Sequence, residues 1–132
     1  MRRAIAAFLA LTMGGNGLAM LAAGAWWYAA VPGVPMTGPF NPHFVKDIGA
    51  AYLTAGVGLG WFAWSLTPVA RGAAMAGAAF LALHAGIHLV EAALDPMGAA
   101  HLARDFAGVI LPPILAGLVL WPPKPQPETR HA

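Results

Sequence analysis

The sequence predicts an all-α integral membrane protein built as a four-helix bundle, and two observations carry that prediction. Hydrophobic residues fill 59% of the 132 positions and charged residues only 9%, with a mean hydropathy of +0.67, whereas soluble domains carry roughly 25% charge. The chain also contains long apolar stretches almost free of Lys, Arg, Asp and Glu, each approaching the ~20 residues needed to cross ~30 Å of hydrocarbon. So few charges could not keep the outside of a small soluble globule wet.

The first stretch, residues 4–31, is opened by Arg2-Arg3 and closed by Trp26-Trp27-Tyr28. Its length and its aromatic end fit a retained span better than a cleaved signal peptide. Residues 32–40, rich in Pro and Gly, form a loop. Asn41-Pro42 then offers an N-cap followed by a proline where a missing N–H costs nothing, so a second helix is expected over 42–66. Its Gly56-Val57-Gly58-Leu59-Gly60 run permits close helix contact. A short turn around Pro68 makes the third helix, 72–94, antiparallel to the second. Asp95-Pro96 breaks the chain. A fourth helix is expected over 100–121, kinked at Pro112-Pro113 because apolar sequence resumes at once. This gives one membrane domain over residues 1–121 and a polar, Pro-rich tail over 122–132.

Flanking charges set the expected orientation. Arg2, Arg3, Arg71, Lys124 and Arg130 fall on the side of the two termini and only Lys46 and Arg104 on the other, so the positive-inside rule makes both termini cytoplasmic. The net charge of +2, divided between two membrane faces, offers no nucleic-acid surface. The chain has no Cys, which excludes disulfides, thiolate metal sites and cysteine catalysis. Ser65, the sole serine, stands at the opposite end from every histidine in the spans, so nucleophilic hydrolysis by Ser and His is disfavoured.

The ionisable groups are distributed unevenly. His43, Lys46, Asp47, His84, His88, Glu91, Asp95, His101, Arg104 and Asp105 all fall in the outer half or its loops. Solubilising helix ends would treat both faces alike, so the asymmetry points to a polar site that opens outward. His43 and Asp47 are four apart and share a helix face, and His84, His88 and Glu91 at i, i+4 and i+7 share another. At ~1.5 Å per residue, Asp47 lies roughly 7 Å below the start of its helix, and Glu91 and His88 roughly 5 and 9 Å below the end of theirs. These heights predict two facing ladders, with Asp105 joining them from the fourth helix. Buried ionisable groups in spans pair, ligate or relay protons. The expected content is therefore a metal ion held by His43, Asp47, His84, His88, Glu91 and Asp105, with carboxylate-rich sites suiting Fe or Mn and His-rich ones Zn or Cu. A haem would instead use His84 or His88 with His43 or another axial partner.

The segments Gly38-Pro39-Phe40-Asn41-Pro42-His43-Phe44-Val45-Lys46-Asp47-Ile48-Gly49 and His84-Ala85-Gly86-Ile87-His88-Leu89-Val90-Glu91 resemble those of small bacterial four-helix membrane proteins, and the layout is similar to that of DoxX-like proteins. The resemblance implies a multi-pass protein of the bacterial inner membrane, in a group associated with quinone-linked or redox partner complexes; it carries over no catalytic residue. Two functions compete. One is a metal- or haem-binding, redox-linked membrane protein with its site between helices 2, 3 and 4. The other is an accessory subunit of a larger membrane complex, in which Gly/Ala faces meet other subunits and the polar end is a salt-bridge network. A proton-linked transporter fits less well, because the polar groups stop halfway across.

Overall fold

The computed structural model describes residues 1–122; of the tail expected at 122–132, all but Pro122 lies outside them. Four helices run up and down in sequence: α1 (Arg2–Ala30), α2 (Pro42–Ser65), α3 (Pro68–Leu94) and α4 (Gly98–Leu120). No strand occurs among the described residues. Each helix lies beside its neighbours in the chain, and α4 returns to touch α1. The two ends of the bundle are called here the terminal end, where α1 begins and α4 finishes, and the loop end.

The starts of α2 and α3 use one local device. Asn41 Oδ1 accepts from the amides of His43 and Phe44, both at 3.1 Å, and Pro42 follows in the position that needs no donor. Thr67 likewise accepts from the Ala70 amide at 3.3 Å ahead of Pro68. That second cap starts α3 at Pro68, a full turn before the expected residue 72.

α1 and α2 approach closely through small residues. A Cβ on Gly17 would lie 2.5 Å from the Leu53 nitrogen and 2.6 Å from the Gly49 carbonyl oxygen, so only glycine fits there. Between α2 and α3, Gly58 meets Ala73 and Gly77 meets Ala55 backbone to backbone, which gives the glycine run of α2 the contact role its composition indicated. The core between these helices includes Leu9, Met13, Met20, Tyr52, Leu59, Phe62 and Leu81. At the terminal end, Arg71 Nε donates to the carbonyl of Leu120 at 2.7 Å, tying the last turn of α4 to the start of α3.

Two helices are bent. α1 breaks at Ala23 (φ −139°, ψ 43°). Beyond that break Trp27 Nε1 donates to Asn16 Oδ1 at 2.8 Å across eleven positions, which a straight helix would separate by roughly 16 Å. In α4 the expected proline kink takes another form. Phe106–Ile110 is π-helical, and the Leu111 amide reaches back to the Phe106 carbonyl. Pro112 and Pro113 lack N–H groups, so the ladder widens just before them and the helix then resumes over Leu111–Leu120.

Three helices, α1, α3 and α4, are long and apolar enough to cross a membrane, which marks the chain as a membrane protein. Leu11, Leu83 and Leu118 are more than 60% exposed, and no polar or charged residue is fully buried among the described residues, as suits a lipid-facing exterior. α2 stands outside that set although it has 24 residues. Lys46 and Asp47 near its start, and the glycines, Tyr52 and tryptophans beyond, lower its hydropathy, so four equally apolar spans are not what the chain provides.

Candidate functional site

The polar residues at the loop end divide into three groups. The central one joins α3 to α4. Asp105 occupies the last turn before the π-helical segment and is 11% exposed. It accepts from Arg104 Nε at 2.7 Å and Nη2 at 3.1 Å, and its Oδ2 lies 2.9 Å from His88 Nδ1. The His84 ring meets that of His88 at 4.9 Å between centroids, stacks on Phe80 at 6.0 Å and presents an edge contact to Tyr52 at 5.7 Å. Phe80, His84 and His88 follow one another at i, i+4, i+8 on α3, which is why one face delivers all of them.

The second group is His43 with Asp47 on α2, at 3.4 Å with side chains 89% and 61% exposed. They stand apart from the first group. Val45 is buried, and His43 and Asp47, two positions either side of it, project about 160° round the helix from that contact. The two ladders therefore do not face each other: α2 turns the Val45, Gly49, Tyr52 and Leu59 side inward and His43 and Asp47 outward. The third group is His101, in the first turn of α4, with Asp95, which follows the end of α3, 3.1 Å apart. Glu91 is exposed, and neither it nor Lys46 forms a salt bridge among the described residues.

No three His, Cys, Asp or Glu side chains come together in a way that could hold a metal ion among the described residues. His88 and Asp105 are joined, but the carboxylate is already taken by Arg104. His84 and His88 project from one helix with their rings adjacent, which leaves no space for a porphyrin between them. His43, the axial partner named from the sequence, does not line the same space.

That space is a cavity of about 770 Å³ bounded by all four helices and by the 31–41 loop. α1 and α4 touch only along the Leu111–Leu120 half of α4 and part towards the loop end. Its walls are mainly apolar, with Phe8, Met13, Met20, Trp27 and Leu115 among them, and one end is polar, formed by His84, His88, Glu91, Arg104 and Asp105. The lining of α1 extends from Phe8 to Tyr28, a run of roughly 30 Å at helical rise. At the mouth, the Arg104 guanidinium lies against Gly33, whose φ of +88° and lack of a Cβ permit that contact. Tyr28 donates to the carbonyl of Gly38 and so pins the loop to α1.

Tyr52 and Asn16 belong to this site and were not expected from spacing. Tyr52 is 5% exposed and lines the cavity. Its signal in the sequence was a tyrosine in mid-helix, far from any membrane interface where such a ring normally sits.

The fold and site thus define a helical membrane protein with a partly open, mainly apolar cavity lined at one end by a His-Asp-Arg cluster. No protein family, curated protein or solved structure matches the chain.

Proposed function

We propose that the protein binds a lipophilic molecule within the bilayer, with the chain of the molecule along the α1–α4 gap and its head against His84, His88, Arg104 and Asp105. The observation that carries this reading is the cavity itself, about 770 Å³, within the ~300–1,000 Å³ usual for small-molecule sites and with their composition of apolar walls and a few convergent polar groups. A metal ion or a haem would have to occupy the same polar end. It has weaker support there, since two histidines from one helix and a carboxylate already engaged by Arg104 supply too few free ligands.

The setting we infer is a bacterial inner membrane crossed by all four helices, with both termini in the cytoplasm. Support for it comes from Arg2, Arg3 and Arg71 at the terminal end and from α2 lying antiparallel between two helices of spanning length.

The test is saturable uptake of a fluorescent long-chain amphiphile by the purified protein in phosphatidylcholine nanodiscs. Gly108 lines the cavity, and a Cβ there would meet nothing within 4 Å, so Gly108→Leu should fold normally and block uptake. Uptake that is unsaturable, or equal in wild type and Gly108→Leu, would overturn the reading. A Soret band or one equivalent of bound transition metal in the same preparation would replace it with haem or metal binding.

A further inference from the structure

We propose that the head of the bound molecule is an uncharged hydroxyl, which donates its hydrogen to His88 Nε2 inside the cavity. This inference rests on the binding reading above and adds the chemical class of the ligand.

The tautomer of His88 follows from its partner. A carboxylate that receives two N–H bonds from Arg104, at 2.7 and 3.1 Å, acts only as an acceptor. The 2.9 Å contact between Asp105 Oδ2 and His88 Nδ1 therefore requires the proton to sit on Nδ1. In the neutral form of the imidazole the lone pair is then on Nε2. His88 lines the cavity, so it offers that space an acceptor held in a fixed direction by Asp105, just as Asp105 is held by Arg104.

Two neighbouring groups complete the recognition set. Neither ring nitrogen of His84 and no atom of the Tyr52 hydroxyl has a hydrogen-bond partner among the described residues. Yet no fully buried side-chain nitrogen or oxygen lacks one, so these atoms keep access to the cavity that both residues line. A tyrosine hydroxyl and a neutral imidazole can each donate or accept. An alcohol oxygen, which gives one hydrogen and takes one or two, matches an acceptor flanked by such adaptable groups.

Charge narrows the class further. The ionised residues lining the cavity are Arg104, Asp105 and Glu91, which is one positive against two negative. Arg104 is already paired with Asp105, so a carboxylate or phosphate head would meet a net negative wall without a free cation. An ammonium head, although the net charge of the wall suits it, only donates and so offers no lone pair to a hydrogen from Tyr52 or His84, which an alcohol oxygen does. The uncharged head avoids both costs.

The experiment titrates the full chain, labelled with 15N-histidine in phosphatidylcholine nanodiscs, with 1-dodecanol, its methyl ether, dodecanoate and dodecylamine. Imidazole 15N shifts report the site. The expected result is saturation by dodecanol at least tenfold tighter than by the ether, the acid or the amine, with His88 Nε2 the resonance that moves. In Asp105→Asn the preference for alcohol over ether should fall below threefold while the ether binds as before. Should that variant fail to fold, Tyr52→Phe takes its place with the same direction of change, and the wild-type ranking of the four heads decides by itself. An ether that binds as well as the alcohol, or an acid or amine that binds better, overturns the hydroxyl assignment and leaves the cavity reading standing. Saturation by none of the four overturns both.

Discussion

Removing the Asp105 carboxylate should cost far more than removing that of Asp47, although both sit on helices near the loop end. Asp105→Ala deletes three hydrogen bonds, at 2.7, 3.1 and 2.9 Å, from a side chain that is 11% exposed. Only the His88 bond joins two helices, where side-chain hydrogen bonds in membranes contribute about 0.6 kcal/mol on average and up to ~1.7; the two from Arg104 are local to α4 and add about 0.5–1.5 kcal/mol each, so the three together give roughly 2 to 5 kcal/mol. The upper figure is not reached here, because Arg104 keeps 30% of its side chain exposed and regains some solvation. The expected loss is about 2–4 kcal/mol. Asp47→Ala breaks one contact of 3.4 Å between side chains 89% and 61% exposed, where ion pairs contribute little, and stability should not change measurably. Unfolding of the purified protein by SDS in mixed micelles, followed by far-UV circular dichroism, measures both. Equal stability of the two variants would refute the claim that α3 and α4 are joined through Asp105. The double variant His88→Ala/Asp105→Ala should be less destabilised than the sum of its parts, because the singles share one bond.

Gly17→Leu should lower stability by about 2 kcal/mol or more through overpacking, since its Cβ would meet backbone of α2 at 2.5 Å, whereas Gly15→Ala, with nothing within 4 Å, should be neutral; thermal denaturation in detergent compares them. Arg71→Ala removes the donor to the Leu120 carbonyl and should cost about 1 kcal/mol, with faster hydrogen exchange confined to the last turn of α4. Because the chain has no Cys, Thr37→Cys and Ser65→Cys report topology directly. A membrane-impermeant maleimide applied to intact cells should label Cys at position 37 and reach position 65 only after lysis; the reverse pattern would place the termini outside.

Helix positions were legible because capping and length are local properties. Asn41-Pro42 marked the start of α2, and Thr67-Pro68 carries the same chemistry one helix later, where the shortness of the turn drew attention to Gly72 instead. Spacing also grouped His84 with His88 correctly, since residues four apart always share a face. It could not say which way each face turns. That is decided by packing between helices, and on α2 the close contacts of Gly49 and Gly56 with α1 fix the rotation that sends His43 and Asp47 outward. The buried sequence Val45, Gly49, Tyr52, Gly56, Leu59 is itself a helical stripe of small and apolar residues, and weighing it against His43/Asp47 would have found the orientation. The Pro112-Pro113 pair marks a disturbance in α4 but not its form as a π-helical turn. The cavity has no local mark, since it arises from the parting of α1 and α4, residues far apart in the chain.

The most direct measurement is photo-crosslinking of a long-chain alcohol that carries a diazirine either beside the hydroxyl or at the far end of the chain, with the adducts mapped by mass spectrometry of the nanodisc-held protein. Head-labelled probe should mark His84, His88 or Arg104, and tail-labelled probe the Phe8, Met13 and Leu115 region, both suppressed by Gly108→Leu. Adducts spread instead over outward leucines such as Leu11, Leu83 and Leu118, with no dependence on where the diazirine sits, would contradict a binding site inside the bundle.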